Sequence, residues 1–235
     1  MTLISPVRRG IAVGACALLI AGCAAAPNRD DPFEPFNRAM YQVNDVVDGH
    51  LFKPIAQAYS DWVPKIIQTA LGNVLGNIDD LFSAIAGLAS GRFDSAGNDL
   101  GRVITNTMFG FGGLIDVASD GNIPKGNMDF GIMFGAWGIP QGPYLFIPLW
   151  GPTTVRDGSG SLARVWFGPT GYIHDVGWRN SLYGVGAVEI RSEALAQEAL
   201  IDQASLDRYT FIRRAYLQRR EYMVTGKPAA TKEEE

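Results

Sequence analysis

The chain has 235 residues and a formal net charge of −4, with 47% of residues hydrophobic and only 19% charged. An acidic balance excludes a nucleic-acid backbone as the partner, because binding phosphates needs a basic face. Once the N-terminal segment is set aside, the length suits one domain rather than two.

That segment carries Arg8 and Arg9, an apolar stretch from Ile11 to Ile20, the small pair Ala21 and Gly22, and then Cys23. This is a secretory-signal layout, too short for a bilayer span of about 20 apolar residues. A cysteine directly after the small residues is where a diacylglycerol is attached, and Ile20-Ala21-Gly22-Cys23 is similar to such a lipobox. Residues 1–22 are therefore expected to be a lipoprotein signal peptide and Cys23 the lipidated residue. Ala24, where proteobacterial lipoproteins retained in the inner membrane tend to carry aspartate, points by that resemblance to the outer membrane, on its periplasmic side. Cys16 leaves with the signal, so no disulfide is expected in the mature body. The signal takes two arginines and no acids with it, which moves the net charge from −4 to −6.

Residues 23–34 are small, polar and proline-broken, as expected of a flexible tether, and residues 35–226 then form the single domain. Phe36, Met40, Val43 and Val47 recur at helical spacing, with Pro35 suited to the first turn and Gly49 to the stop. From Lys65 to Leu88 an apolar stripe (Ile67, Leu71, Val74, Ile78, Leu81, Ile85, Leu88) opposes a polar face of Gln68, Asn73, Asn77, Asp79, Asp80 and Ser83. Gly72 and Gly76 are the places where that helix would break. A third helix, capped by Asp94 or Ser95, is expected to turn Ala96, Leu100, Val103 and Thr107 inward.

Glycine then alternates with large apolar groups in Phe109-Gly110-Phe111-Gly112-Gly113-Leu114-Ile115, which reads as a bendable backbone. Gly135 to Gly160 is a Gly/Pro-rich loop that is unusually aromatic for a water-facing surface. Val188 to Ala204 is expected to be helical, with Ile190, Ala194 and Leu200 or Ile201 inward. Ser205 would cap a last helix lined by Tyr209, Ile212, Tyr216 and Met223, ended by Gly226 and Pro228, and residues 227–235 read as a disordered tail.

Catalytic chemistry is weakly represented. There is no Gly-x-Ser-x-Gly elbow around Ser159, and His50 and His174 have no ligand at zinc-site spacing, so no catalytic residue, metal or cofactor is expected. What stands out instead is Trp137, Tyr144 and Trp150, which suit a membrane interface and would equally fill a core under a long loop. Arg213, Arg214, Arg219 and Arg220 crowd the last helix, as a docking site for an acidic partner or lipid head groups, or as a solvated face.

Asp31-Pro32-Phe33-Glu34-Pro35-Phe36-Asn37-Arg38-Ala39-Met40-Tyr41, Asp129-Phe130-Gly131, Gly142-Pro143-Tyr144, Gly151-Pro152-Thr153-Thr154-Val155-Arg156-Asp157 and the Tyr209 to Gly226 helix occur in this order along the chain. Together they resemble the MlaA (VacJ) outer-membrane lipoproteins over nearly the whole mature length. The resemblance implies an all-α body, a ring or doughnut of amphipathic helices lying in the inner leaflet of the outer membrane around an amphipathic channel. A C-terminal helix would sit on the periplasmic side. It implies removal of mislocalised phospholipid from the outer leaflet to a periplasmic carrier of the MlaC type, with an outer-membrane porin trimer as partner. By the same resemblance Phe109, Gly110, Phe111, Gly112, Gly113 and Leu114 are expected at the channel as a flexible element. A passive scaffold lipoprotein and a phospholipid hydrolase are the alternatives.

Overall fold

A computed structural model describes residues 31–167 and 174–227. The signal segment, Cys23 and residues 228–235 lie outside the described residues. The chain is mostly helical: α1 (Glu34–Val47), α2 (Lys53–Trp62), α3 (Lys65–Ala89), α4 (Phe93–Met108), the single turn α5 (Val117–Asp120), α6 (Phe130–Ala136), α7 (Val155–Phe167), α8 (Val176–Ala204) and α9 (Arg208–Thr225). Between α6 and α7 runs an antiparallel hairpin of β1 (Tyr144–Ile147) and β2 (Gly151–Thr154), in the register Tyr144 to Thr154. The expected all-α body is thus corrected by two short strands, which occupy the middle of the Gly/Pro-rich aromatic segment.

Gly49 does not stop the first helix. Residues Asp48–Phe52 form a π-helical turn that carries α1 directly into α2. Of the apolar residues at helical spacing, Phe36 and Val43 are exposed, and the buried residue of α1 is Asn37. Its amide donates to Asp31 Oδ1 (2.9 Å) and to the Tyr144 carbonyl (3.0 Å), and its Oδ1 accepts the Phe146 N–H (3.0 Å). One side chain thereby pairs the free edge of β1, as a buried amide must if it is not to be stranded. Asp31 is itself fully buried, so ordered structure includes the last residues of the expected tether.

α3 is continuous through Gly72 and Gly76, and a three-residue turn folds α4 back along it. The pair is aligned by Ser83 with Asp99, Asp80 with Arg102 and Asn77 with Thr107. Of the residues expected inward on α4, Ala96 is buried but Leu100 and Thr107 are exposed; Asp99, Arg102 and Asn106 are inward instead. The N-terminus is capped by the backbone of Arg92, not by Asp94 or Ser95. α8 begins twelve residues before the expected Val188 and turns Ile190 outward while burying Glu189. α9 is capped by Asp207, whose carboxylate accepts the Thr210 N–H, whereas Ser205 Oγ donates to the Ile201 carbonyl. Gly226 at φ +71° ends it as expected.

Two small apolar clusters hold these elements. Tyr144, Phe146 and Tyr209 pack with Met40, Tyr41, Tyr216 and Leu217, and Ala86, Met128, Ile132 and Met133 pack with Phe130, Phe134, Met223 and Val224. α6 and α7 approach so closely that a Cβ on Gly160 would lie 2.3 Å from the Gly131 nitrogen.

Candidate functional site

Beside its two apolar clusters, this molecule buries several large polar side chains and exposes many large apolar ones. Among the described residues the largest fully buried side chains include Arg102, Asn37, Asp31 and Asp99, while Trp62, Ile66, Met108, Phe109, Phe111, Trp166 and Trp178 are all exposed. All five tryptophans, at positions 62, 137, 150, 166 and 178, lie at the surface. A buried polar group and an exposed large apolar surface are the informative departures from ordinary folding, and here they occur together. No described helix is long and apolar enough to cross a membrane.

The interior is held by charge networks. Arg102, 1% exposed, joins Asp80 (2.8 Å) and both oxygens of Asp116 (2.9 Å each), and Asn106 donates to Asp116 Oδ1 at 2.9 Å. Burial opposes ionisation of Asp116, yet the Ser119 hydroxyl, the Asn106 amide and Arg102 hold its carboxyl down at about 2. Asp80 goes the other way: its burial outweighs Arg102 and raises its carboxyl above the usual range. On α9, Arg220 binds Asp157 (2.9 Å) and Asp129 (2.9 Å), and despite burial Arg220 keeps the Asp157 carboxyl low. Arg213 reaches Asp31 (2.9 Å), which also accepts the Tyr209 hydroxyl. Burial, then the Glu189 carboxylate that accepts its proton at 2.5 Å, pushes the Tyr59 phenol up to about 12 and joins α2 to α8.

Between these networks a cleft of about 330 Å³ opens beside α3 and α9. Asp79, Asp80 and Ser83 line it from α3, Lys125 and Asn127 from the loop before α6, Arg164 from α7, and Arg219, Arg220 and Met223 from α9. Charged side chains line the cleft together with about as much apolar surface, to which Met128 and Met223 contribute. The exterior around the α3–α4 pair is built of Ile67, Ile104, Met108, Phe109, Phe111 and Ile115.

Comparisons with known proteins give this arrangement a family. A family model described as MlaA lipoprotein matches residues 29–223. This chain belongs to the MlaA lipoprotein family. It is 32% identical over 221 residues to the intermembrane phospholipid transport system lipoprotein MlaA of Escherichia coli, covering 88% of this chain and 85% of the relative. It is also 32% identical over 235 residues to the protein of that description from Haemophilus influenzae, covering 92% and 91%. A solved structure reported as the structural basis for maintenance of bacterial outer membrane lipid asymmetry superposes with a TM-score of 0.73 at 30% identity, over 84% of this chain and 100% of that one. The MlaA family is one of transport lipoproteins, and this member is not an enzyme. Ser159, which with His174 is what a hydrolase reading would use, donates its hydroxyl to the Val155 carbonyl at 2.7 Å.

In this MlaA-family chain Phe109, Phe111 and Leu114 are exposed, and the glycines among them serve a tight fold rather than a loose joint. Gly113 N–H donates to the Asn106 carbonyl and Ile115 N–H to that of Gly110, and Asn73 donates to the Leu114 carbonyl. Gly110 is required by space, since a Cβ there would lie 2.1 Å from the Ile115 oxygen. Trp137 and Trp150 are exposed, but Tyr144, expected at the same interface, is 1% exposed: as the first residue of β1 it points into the cluster with Tyr209. Arg213 and Arg220, expected to be free for docking, are buried and bound to carboxylates, because α9 packs that face against α1, α6 and β2. Arg214 and Arg219 remain exposed. Sequence reasoning placed Asp80 on the polar face of its helix but did not single out Lys125 or Arg102. The signal available was Asp99, Arg102 and Asn106 at i, i+3 and i+7, one face of a helix whose other faces are equally well supplied with apolar residues.

Proposed function

We propose that this chain is an outer-membrane lipoprotein, tethered through lipid on Cys23, that takes mislocalised phospholipid from the outer leaflet through an amphipathic channel to a periplasmic carrier and so maintains lipid asymmetry. The carrying observation is a charged cleft and buried ion pairs together with an exposed aromatic exterior in one small body. A phospholipid passing through protein needs a polar path for its head group and an apolar surface for its tails, because stranding either in the wrong medium costs several kcal/mol. Amphipathic helices such as α3, lying in the plane of the inner leaflet as parts of a ring, supply both. A porin trimer would hold the ring in the outer membrane, Phe109 to Leu114 would stand at the channel, and Arg214 on the periplasmic helix remains available to dock the carrier. Family membership and the relatives' role in intermembrane phospholipid transport support this reading.

The test is a deletion strain complemented with the wild-type chain or with Cys23→Ser. Loss of the protein should raise outer-leaflet phospholipid and sensitivity to detergent with chelator, and Cys23→Ser should fail to restore either. Normal asymmetry and resistance in the deletion strain would remove the proposal.

A further inference from the structure

The carboxylates around the polar cleft are mostly committed, and two of its cations are not. Asp80 is bound by Arg102 at 2.8 Å, Asp129 by Arg220 at 2.9 Å, and Asp79 by Arg164. Lys125 makes no hydrogen bond from its ammonium among the described residues, and the carboxylate oxygen it pairs with, on Asp80, stands at the outer limit of 4.0 Å. Arg219 has neither a hydrogen bond nor an ion pair among the described residues, and it faces the same cleft.

Lys125 is held there by its backbone. Before it, the Ile123 carbonyl accepts from Arg102 at 2.8 Å; after it, the Gly126 N–H donates to Asp99 Oδ1 and the Met128 N–H to Ser83 Oγ, each at 2.7 Å, so both sides of the short loop are fastened to the α3–α4 pair. Gly126 permits this close seat, since a Cβ would lie 2.2 Å from Ser95 Oγ. On the opposite wall Gly76 leaves the room that the ammonium occupies, as a Cβ there would stand 3.3 Å from Lys125 Nζ. A cation whose one carboxylate neighbour stands at 4.0 Å, sharing a cleft with an exposed guanidinium, suits an anion with several oxygen acceptors.

We propose that Lys125 and Arg219 form the binding site for the phosphodiester of a membrane phospholipid in this cleft. Rather than passing a uniform polar path, the head group halts on these two cations, with Met128 and Met223 beside the glycerol end. The inference rests on the transport reading above and adds to it a place and a chemistry. Phosphate is matched by an ammonium point charge together with a planar guanidinium fork.

The experiment uses the purified full-length chain in dodecyl maltoside, titrated with a short-chain phosphatidylethanolamine and phosphatidylglycerol, with diacylglycerol, glycerophosphate and inorganic phosphate in parallel. Lys125→Gln with Arg219→Gln should weaken phospholipid binding about ten- to hundredfold, leave the melting temperature and the weak binding of diacylglycerol unchanged, and Lys125→Arg should restore most of the affinity. Equal phospholipid affinity in wild type and double variant would overturn the site while leaving lipid transport standing. Inorganic phosphate bound as tightly as the phospholipid would overturn the lipid source. A wild-type chain that binds no phospholipid at all would overturn the transport reading together with the site.

Discussion

Arg102 Nη2 lies 2.9 Å from both carboxylate oxygens of Asp116, and its Nε lies 2.8 Å from Asp80. One guanidinium therefore closes α3, α4 and the loop leading to α5 at a place where no water reaches it. Removing one partner of such a group leaves uncompensated charge inside, which costs more than the pair contributes when intact. Arg102→Ala is expected to lose about 3–5 kcal/mol of stability, read from denaturant unfolding followed by far-ultraviolet circular dichroism in detergent. Arg102→Lys should recover only part, because an ammonium cannot fork across Asp116 while holding Asp80. A loss below about 1 kcal/mol for the alanine variant would place the network among interactions of exposed-pair strength.

The same network sets an acid limit on the fold. Burial works against the Asp116 carboxylate, but Ser119, Asn106 and Arg102 outweigh it and hold the folded-state value at about 2, below the unfolded value near 4. A lowered folded value means the contribution is complete above about pH 4 and disappears as pH falls through about 2. It amounts to about 2 kcal/mol. Asp80, raised by its burial, acts in the opposite sense: its cost to the fold is relieved as acid protonates it. The difference in melting temperature between wild type and Asp116→Asn should accordingly shrink between about pH 6 and about pH 2. A difference that stays constant across that range would show that Asp116 stabilises without its charge.

The loop after α4 makes a separate prediction about glycine. At Gly110 a Cβ would collide with backbone, 2.1 Å from the Ile115 oxygen and 2.5 Å from the Asn106 oxygen, whereas at Gly112 there is open space but φ is +75°. Gly112→Ala should therefore cost about 1–2 kcal/mol for the left-handed conformation alone. Gly110→Ala should cost more and should also disturb the neighbouring Asn106 contact with Asp116. Unfolding measurements that rank the two variants the other way would mean that this loop yields freely.

The helices were legible in outline because period 3.6 survives whichever medium surrounds the chain. Their facing was less so. Sequence reasoning assumes that apolar means inward, and on α4 that rule selected Leu100, which is exposed, as are Phe36 and Val43 of the apolar set on α1. Only on α3, where a full polar face was visible opposite the stripe, did the pattern announce that both faces had work to do, and there Gln68, Asp80 and Ser83 are buried. The arginines of α9 show a second limit. Arg213 and Arg220 differ from Arg214 and Arg219 only in which carboxylates stand opposite, and those lie up to 182 residues away along the chain. The hairpin was hidden because Gly142, Pro143, Gly151 and Pro152 punctuate it so densely that no alternating run is long enough to register.

The exposed tryptophans turn the proposed lipid setting into an optical measurement. Trp62, Trp166 and Trp178 are the three most exposed of the five, and Trp137 is distinct in donating its indole N–H to the Ala89 carbonyl at 2.8 Å. An indole standing this far out of a protein emits like one in water unless something apolar covers it, and its ring and N–H suit the head-group region of a bilayer. Single-tryptophan chains, made by changing the other four to phenylalanine, should shift emission to the blue on transfer from detergent-free buffer to phospholipid vesicles. Brominated acyl chains should then quench Trp62, Trp166 and Trp178 strongly, and Trp137 less, because its N–H stays fixed to the protein backbone. If all positions keep a water-like emission and escape quenching, the apolar exterior faces protein or solvent rather than acyl chains, and the exposed tryptophans would need another explanation.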